Sequence, residues 1–206
     1  LGSGLDEAES QVEALYQIAT GEGFPGYVSP AFGCPMGGYG YPCFRGDALP
    51  IVLLFTDAPM HNGPGGSYPY HAWGAGLPHS FDDAIASLLA LGVHVIGLES
   101  GAGLGAPDLV AVARATGALS STGEPIVYDI GRDGQRLGTG VIASIQSFAE
   151  GVVFDIDLAL SDGDPSDGFD AMTFVAGATA ERAEPADGVA SIDRTGGIFY
   201  GVRTGT

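Results

Sequence analysis

Asp57 closes the stretch Ile51-Val52-Leu53-Leu54-Phe55-Thr56-Asp57. The five large apolar residues are too few for a helix and lie between Pro50 and a Pro/Gly-rich segment. They predict a strand buried on both faces at the centre of a parallel sheet. In open α/β sheets ligands bind just beyond the carboxyl ends of the strands, so a carboxylate here could hold a metal or a ligand. Asp57 could equally cap the turn into Pro59. His61, His71 and His79 follow in a loop. Gathered with Asp57 around a catalytic metal that keeps an open position, they would make a metallohydrolase. No His-x-x-x-His or Cys-pair spacing accompanies them, and isolated loop histidines usually form local hydrogen bonds. Gly101-Ala102-Gly103-Leu104-Gly105 imitates a phosphate loop, but in the wrong register and with no basic residue nearby.

Cys34 and Cys43, the only cysteines, bound a Gly/Pro-rich loop whose ends can meet. We read them as one disulfide formed in an oxidising compartment, with a two-thiol metal site and two free thiols as the competing readings. Closing so small a loop contributes about 2.5–3 kcal/mol in the chain-entropy model. Asp6 and Glu9 stand three apart at the start of a predicted helix, Leu5 to Thr20, as in a capping box. Asp162, Asp164, Asp167 and Asp170 resemble a calcium loop only superficially. They lack its register and terminal Glu, and read as a solvated hairpin tip.

The chain of 206 residues carries 7 basic residues, all arginine, against 25 acidic ones, for a net charge of −18. That surface repels phosphate backbones and anionic lipids, which disfavours nucleic acid and membrane-surface partners. Cations are the natural counterpart, although solubility or a saline habitat also explains an acidic surface. A hydrophobic content of 45% supports a core, while 35 glycines and 13 prolines between apolar runs predict long structured loops. No apolar run approaches the roughly 18–20 residues that cross a bilayer, so no membrane insertion is expected in this segment.

The elements that must position these residues alternate. The helix over Leu5 to Thr20 precedes a long loop, the Ile51 strand, and a helix capped by Ser80 with Phe81, Ile85, Leu88 and Leu89 as its apolar stripe. Val93 to Leu98 is a strand. Pro107 opens a helix with Leu109, Val112 and Ala113 on one face; Ile126 to Ile130 is a strand, and Val141, Ile142, Ile145 and Phe148 mark a last helix. This is the rhythm of a doubly wound parallel sheet. Beyond Glu150 the period changes to 2, with turn signals at Asp162 to Gly168, Glu184 to Gly188 and Arg194 to Gly197, as in a β-sandwich. The expected domains are therefore 1–149, α/β, and 150–206, β-rich. The first helix has no strand before it, and Ile198 to Val202 has none after it to pair with. We expect a partial doubly wound sheet truncated at its N-terminus and a truncated β-sandwich-like segment with exposed sheet edges.

The run Ser3-Gly4-Leu5-Asp6-Glu7-Ala8-Glu9 ahead of a helix, followed by the strand ending Phe55-Thr56-Asp57-Ala58, resembles the von Willebrand factor A domain in its integrin β-subunit form. There, Asn-Leu-Asp-x-Pro-Glu precedes a helix and an apolar strand closes in Thr-Asp. Residues 1–149 are covered. The run is also similar to secreted bacterial proteins in which a small β-domain follows. The resemblance implies a metal-ion-dependent adhesion site with Asp57 and Glu9 as ligands, Asp6 at an adjacent calcium site, and Mg²⁺ or Ca²⁺ as the ion. It also implies a non-enzymatic, secreted or cell-surface module that binds a carboxylate-bearing protein or other ligand. Gly4 and Ala8 replace the family's Asn and Pro, and its Asp-x-Ser-x-Ser loop would lie upstream of Leu1, so poor metal affinity is expected of this segment.

Overall fold

A computed structural model describes residues 7–35, 37–70, 77–164 and 166–203. The chain divides into two compact units, residues 1–148 and 149–206.

In the first unit, α1 (Gln11–Thr20) leads to a two-residue hairpin, β1 (Gly38–Tyr39) with β2 (Phe44–Arg45), and then to β3 (Ile51–Thr56). Next come α2 (Phe81–Ala90), β4 (His94–Glu99), α3 (Ala106–Ala115), β5 (Val127–Asp129) and α4 (Leu137–Gly151). The unit is mixed α/β, built on a parallel three-stranded sheet of order β3-β4-β5. Helices flank the sheet. The core joins Val12 and Leu15 of α1, Leu88 of α2, Val95 of β4 and Leu109 and Val112 of α3, with Met60 among them. Gly97 lets α3 close on the sheet, since a Cβ there would lie 2.9 Å from the Leu109 Cβ.

Several expectations need correction. The Ile51 strand is at the edge of the described sheet, not its centre. β3 has β4 on one side only, its first four residues are half-buried and Phe55 is 47% exposed. The doubly buried strand is β4, where Val95, Ile96 and Leu98 are all fully buried. An apolar run alone does not separate these two positions.

The first helix begins at Gln11 with Ser10 as its N-cap, so Glu9 is not in the N3 position of a capping box. Its backbone is engaged instead in a parallel bridge to Met60, which a helical residue could not make. The Ser10 hydroxyl meets the Tyr70 hydroxyl rather than the helix start. Asp6 and His71 lie outside the described residues.

α2 does have a capping box, in which Ser80 Oγ accepts from the Asp83 N–H (3.2 Å) and the Asp83 carboxylate accepts from the Ser80 N–H (3.1 Å). Its inner face is Phe81, Ala84, Ile85 and Leu88, and Leu89, one step further round, is exposed. In α4 the buried positions are Gly140, Ser144 and Phe148 at i, i+4 and i+8, whereas Ile142 and Ile145 are exposed. At Gly140 the helix runs close to the residue that follows β5, since a Cβ there would stand 3.0 Å from the Ile130 side chain.

The second unit holds β6 (Val153–Asp157), β7 (Ser191–Asp193) and β8 (Ile198–Arg203) in one antiparallel sheet of order β6-β8-β7. The expected sandwich is thus a single sheet among the described residues, because the described part of 158–190 holds turns and two short 3-10 helices, Ala171–Phe174 and Ala186–Gly188, but no strand. The final run is not a bare edge either, since β8 is paired on both sides by strands that precede it.

Candidate functional site

The carboxyl edge of the parallel sheet is a row of polar side chains. Thr56, Glu99 and Asp129 are register neighbours at the ends of β3, β4 and β5, and Asp57 is the next residue out. Thr56 is buried, and its hydroxyl donates to the Ala58 carbonyl (3.0 Å) while accepting from the Ala58 N–H (3.1 Å). This tight turn directs Asp57 outward, where it is exposed. The Glu99 carboxylate is buried and accepts the Gly103 N–H at 2.9 Å. The Gly101–Gly105 run owes its glycines to this edge rather than to a phosphate. A Cβ on Gly101 would lie 2.8 Å from the Asp57 carbonyl oxygen, and one on Gly105 would lie 2.8 Å from the Ala58 oxygen.

Glu9 arrives at the same segment through its backbone. Its N–H donates to the Pro59 carbonyl (3.0 Å) and its carbonyl accepts from the His61 N–H (2.8 Å), which sets it beside the two residues that follow Ala58. Gln11, at the start of α1, completes the link. Its Nε2 donates to Glu9 Oε2 at 3.2 Å and to Thr56 Oγ1 at 2.6 Å, so the Glu9 carboxylate lies within two hydrogen-bond lengths of the Thr56 hydroxyl. Asp108 fastens the segment from the other side by accepting the Met60 N–H at 2.8 Å. Among the described residues no arginine or histidine forms an ion pair with Glu9 or Asp57.

Asp129 does have a counter-charge. The Gly131 N–H and then the Arg136 guanidinium, at 2.8 Å, hold its carboxyl below the usual range.

The described loop histidines, His61 and His79, are engaged locally. The His61 ring stacks on Tyr70 and its Nδ1 donates to the Tyr68 carbonyl at 2.7 Å. His79 stacks on Tyr16 with ring centroids 3.4 Å apart, and its Nδ1 lies 3.0 Å from the buried Glu13 carboxylate. Burial pushes the Glu13 carboxyl up, but hydrogen bonds from Gln17, the His79 N–H and the His79 ring outweigh it and leave the group below its ordinary value. Both rings are engaged in these local contacts, and His71 lies outside the described residues. Cys34 and Cys43 are joined by a disulfide with a Cα–Cα distance of 5.3 Å, so neither thiol is available to a metal.

No family model, curated protein or solved structure matches the chain.

At the edge the Thr56 hydroxyl is fully engaged by Ala58 and Gln11, and the buried Gln11 Oε1 has no hydrogen-bond partner among the described residues. The ligand atoms that the edge offers are carboxylate oxygens, those of the exposed Glu9 and Asp57. That chemistry fits a hard divalent ion such as Mg²⁺ or Ca²⁺ and not a soft one. No cluster of three or more acidic, His or Cys side chains able to hold an ion occurs among the described residues. Sequence reasoning missed Gln11, Glu99 and Glu13. Their signal was position: Gln11 and Glu13 are polar residues on a short helix whose other buried positions are Val12, Leu15, Gln17 and Ala19.

Proposed function

We propose that this chain is a non-enzymatic adhesion or binding module of the von Willebrand factor A, integrin β-like kind, secreted or cell-surface. In the complete protein, Asp57 and Glu9 would be among the ligands of a Mg²⁺ or Ca²⁺ ion, and Asp6 would serve an adjacent calcium site. The ion would supply an electrophilic open position for an acidic group of a protein or other carboxylate-bearing partner. One observation carries the reading: Glu9 is strung alongside Pro59 and Met60, and Gln11 ties its carboxylate to the Thr56 hydroxyl next to Asp57. Two acids with no ion-pair partner among the described residues, in a protein with 25 acidic residues and 7 basic ones, favour a metal as their counter-charge.

Further support is compositional and covalent. The Cys34–Cys43 disulfide suits an oxidising exterior. No helix among the described residues is long and apolar enough to cross a membrane.

The test is a Tb³⁺ luminescence titration of the chain and its Asp57→Asn and Glu9→Gln variants, with Mg²⁺ and Ca²⁺ as competitors. Each substitution should weaken Tb³⁺ binding at least tenfold and leave the melting temperature nearly unchanged. Equal affinity in all three proteins would overturn the reading. In the complete protein, Asp57→Asn should also abolish Mg²⁺-dependent binding of a carboxylate-bearing partner.

A further inference from the structure

Gln11 ties the start of α1 to the end of β3 and reaches the Glu9 carboxylate with the same amide nitrogen. The residue is 7% exposed, at the first position of α1. The amide nitrogen bridges Glu9 Oε2 and Thr56 Oγ1, while the buried amide oxygen has no partner among the described residues. The amide cannot be turned over to relieve that oxygen. Thr56 gives its own hydroxyl proton to the Ala58 carbonyl, so toward Gln11 it can only accept, and an ionised carboxylate can only accept. Both neighbours demand the NH₂ end, which fixes the assignment that crystallographic contrast often leaves open. A buried acceptor is thus left unsatisfied so that one amide can hold an exposed carboxylate against the end of a strand.

From this geometry we infer that Gln11 is the positioning residue of the Glu9 carboxylate. It fixes the orientation of Glu9 relative to Thr56 and hence to the Asp57 turn, and it acts on the ligand set through Glu9. The inference rests on the cation reading of Glu9 and Asp57 for its purpose, but the positioning itself is a property of the chain without an ion. Hydrogen-bonding partners of metal-ligating side chains typically govern metal affinity by about 10–100-fold.

The experiment compares the ¹³C-labelled wild-type chain with Gln11→Met, which keeps the length of the side chain and removes both amide ends. In the absence of any ion, the Glu9 carboxyl resonance should shift and its side-chain couplings should average toward free rotation, while the melting temperature holds. Addition of Tb³⁺ should then show a dissociation constant raised about 10–100-fold. A melting temperature that falls while the Glu9 signals stay as in the wild type would assign Gln11 a purely structural role and overturn the inference. Should Gln11→Met fail to fold, Gln11→Leu, which is likewise apolar and without the donor, is read in the same way. The two claims separate cleanly. If Glu9 loosens in the variant but wild type and Glu9→Gln take up Tb³⁺ alike, the positioning stands and the cation reading falls.

Discussion

The two units of the chain are held by different forces. In residues 1–148 the side chains of Val12, Leu15, Met60, Leu88, Val95, Leu109 and Val112 are buried to 1% exposure or less and meet in one core. In residues 149–206, Ala180 and Val202 are the only buried hydrophobic residues described, and every residue of β6 is exposed. Local polar turns take over there. The carboxylates of Asp162, Asp164, Asp167 and Asp170 each accept the backbone N–H two residues ahead. Alternating hydrophobicity was enough to form a strand in β6 but not to bury either of its faces. Apolar patterning specifies conformation, and burial needs a second layer to receive it.

The largest expected effect tests that contrast directly. Leu109→Ala removes a fully buried side chain seated against Gly97 and should cost about 2–5 kcal/mol of unfolding free energy in urea. Ile156→Ala, at 44% exposure on β6, should stay within about 0.5 kcal/mol of wild type. Equal losses would mean that β6 is buried in solution, and the contrast between the units would fail.

The same contrast decides what could be read from sequence. Helices α2 and α3 were legible because a stripe such as Leu109, Val112 and Ala113 has the helical period and sits between Pro107 and Gly117. The start of α1 was not, because Asp6 and Glu9 mimic a capping box while the pairing that takes Glu9 out of the helix comes from Met60, 51 positions away. Edge and centre were exchanged for the parallel strands because strand order depends on pairing partners. At the candidate site, the end of β3 was legible from Thr56-Asp57. Gln11 was not, since its role appears only when Glu9 and Thr56 are brought to either side of its amide.

An intermediate effect comes from acid. Glu13 is buried in the first unit and its carboxyl is held below the ordinary value of 4.5, with hydrogen bonds from Gln17 and His79 outweighing the opposing effect of burial. A group depressed in the folded state contributes stability that is fully present above its unfolded value and is lost as pH falls through the folded one. Unfolding of the first unit should therefore grow easier as pH drops below about 4.5, and Glu13→Gln should flatten that dependence. At neutral pH, Glu13→Ala should cost about 1–3 kcal/mol, because it strands the His79 N–H and the Gln17 amide. A Glu13→Gln protein with an unaltered acid profile would place the sensitive carboxylates elsewhere.

The smallest effect belongs to the polar turns of the second unit. Asp164 is fully exposed, and its carboxyl is drawn below the usual range first by the Ser166 hydroxyl and then by the Ser166 N–H. What the turn needs is an acceptor two residues before the amide, and an Asn carbonyl supplies one as well as a carboxylate does. Asp164→Asn should therefore leave the Ser166 amide as slow to exchange as in the wild type, whereas Asp164→Ala should release it to the rate of an open loop. Charge is not the agent, so adding salt should not mimic the alanine variant. Hydrogen exchange at Ser166 measures all three. If Asn fails where Asp succeeds, ionic attraction rather than turn geometry holds this segment, and the second unit would respond to acid as the first one does at Glu13.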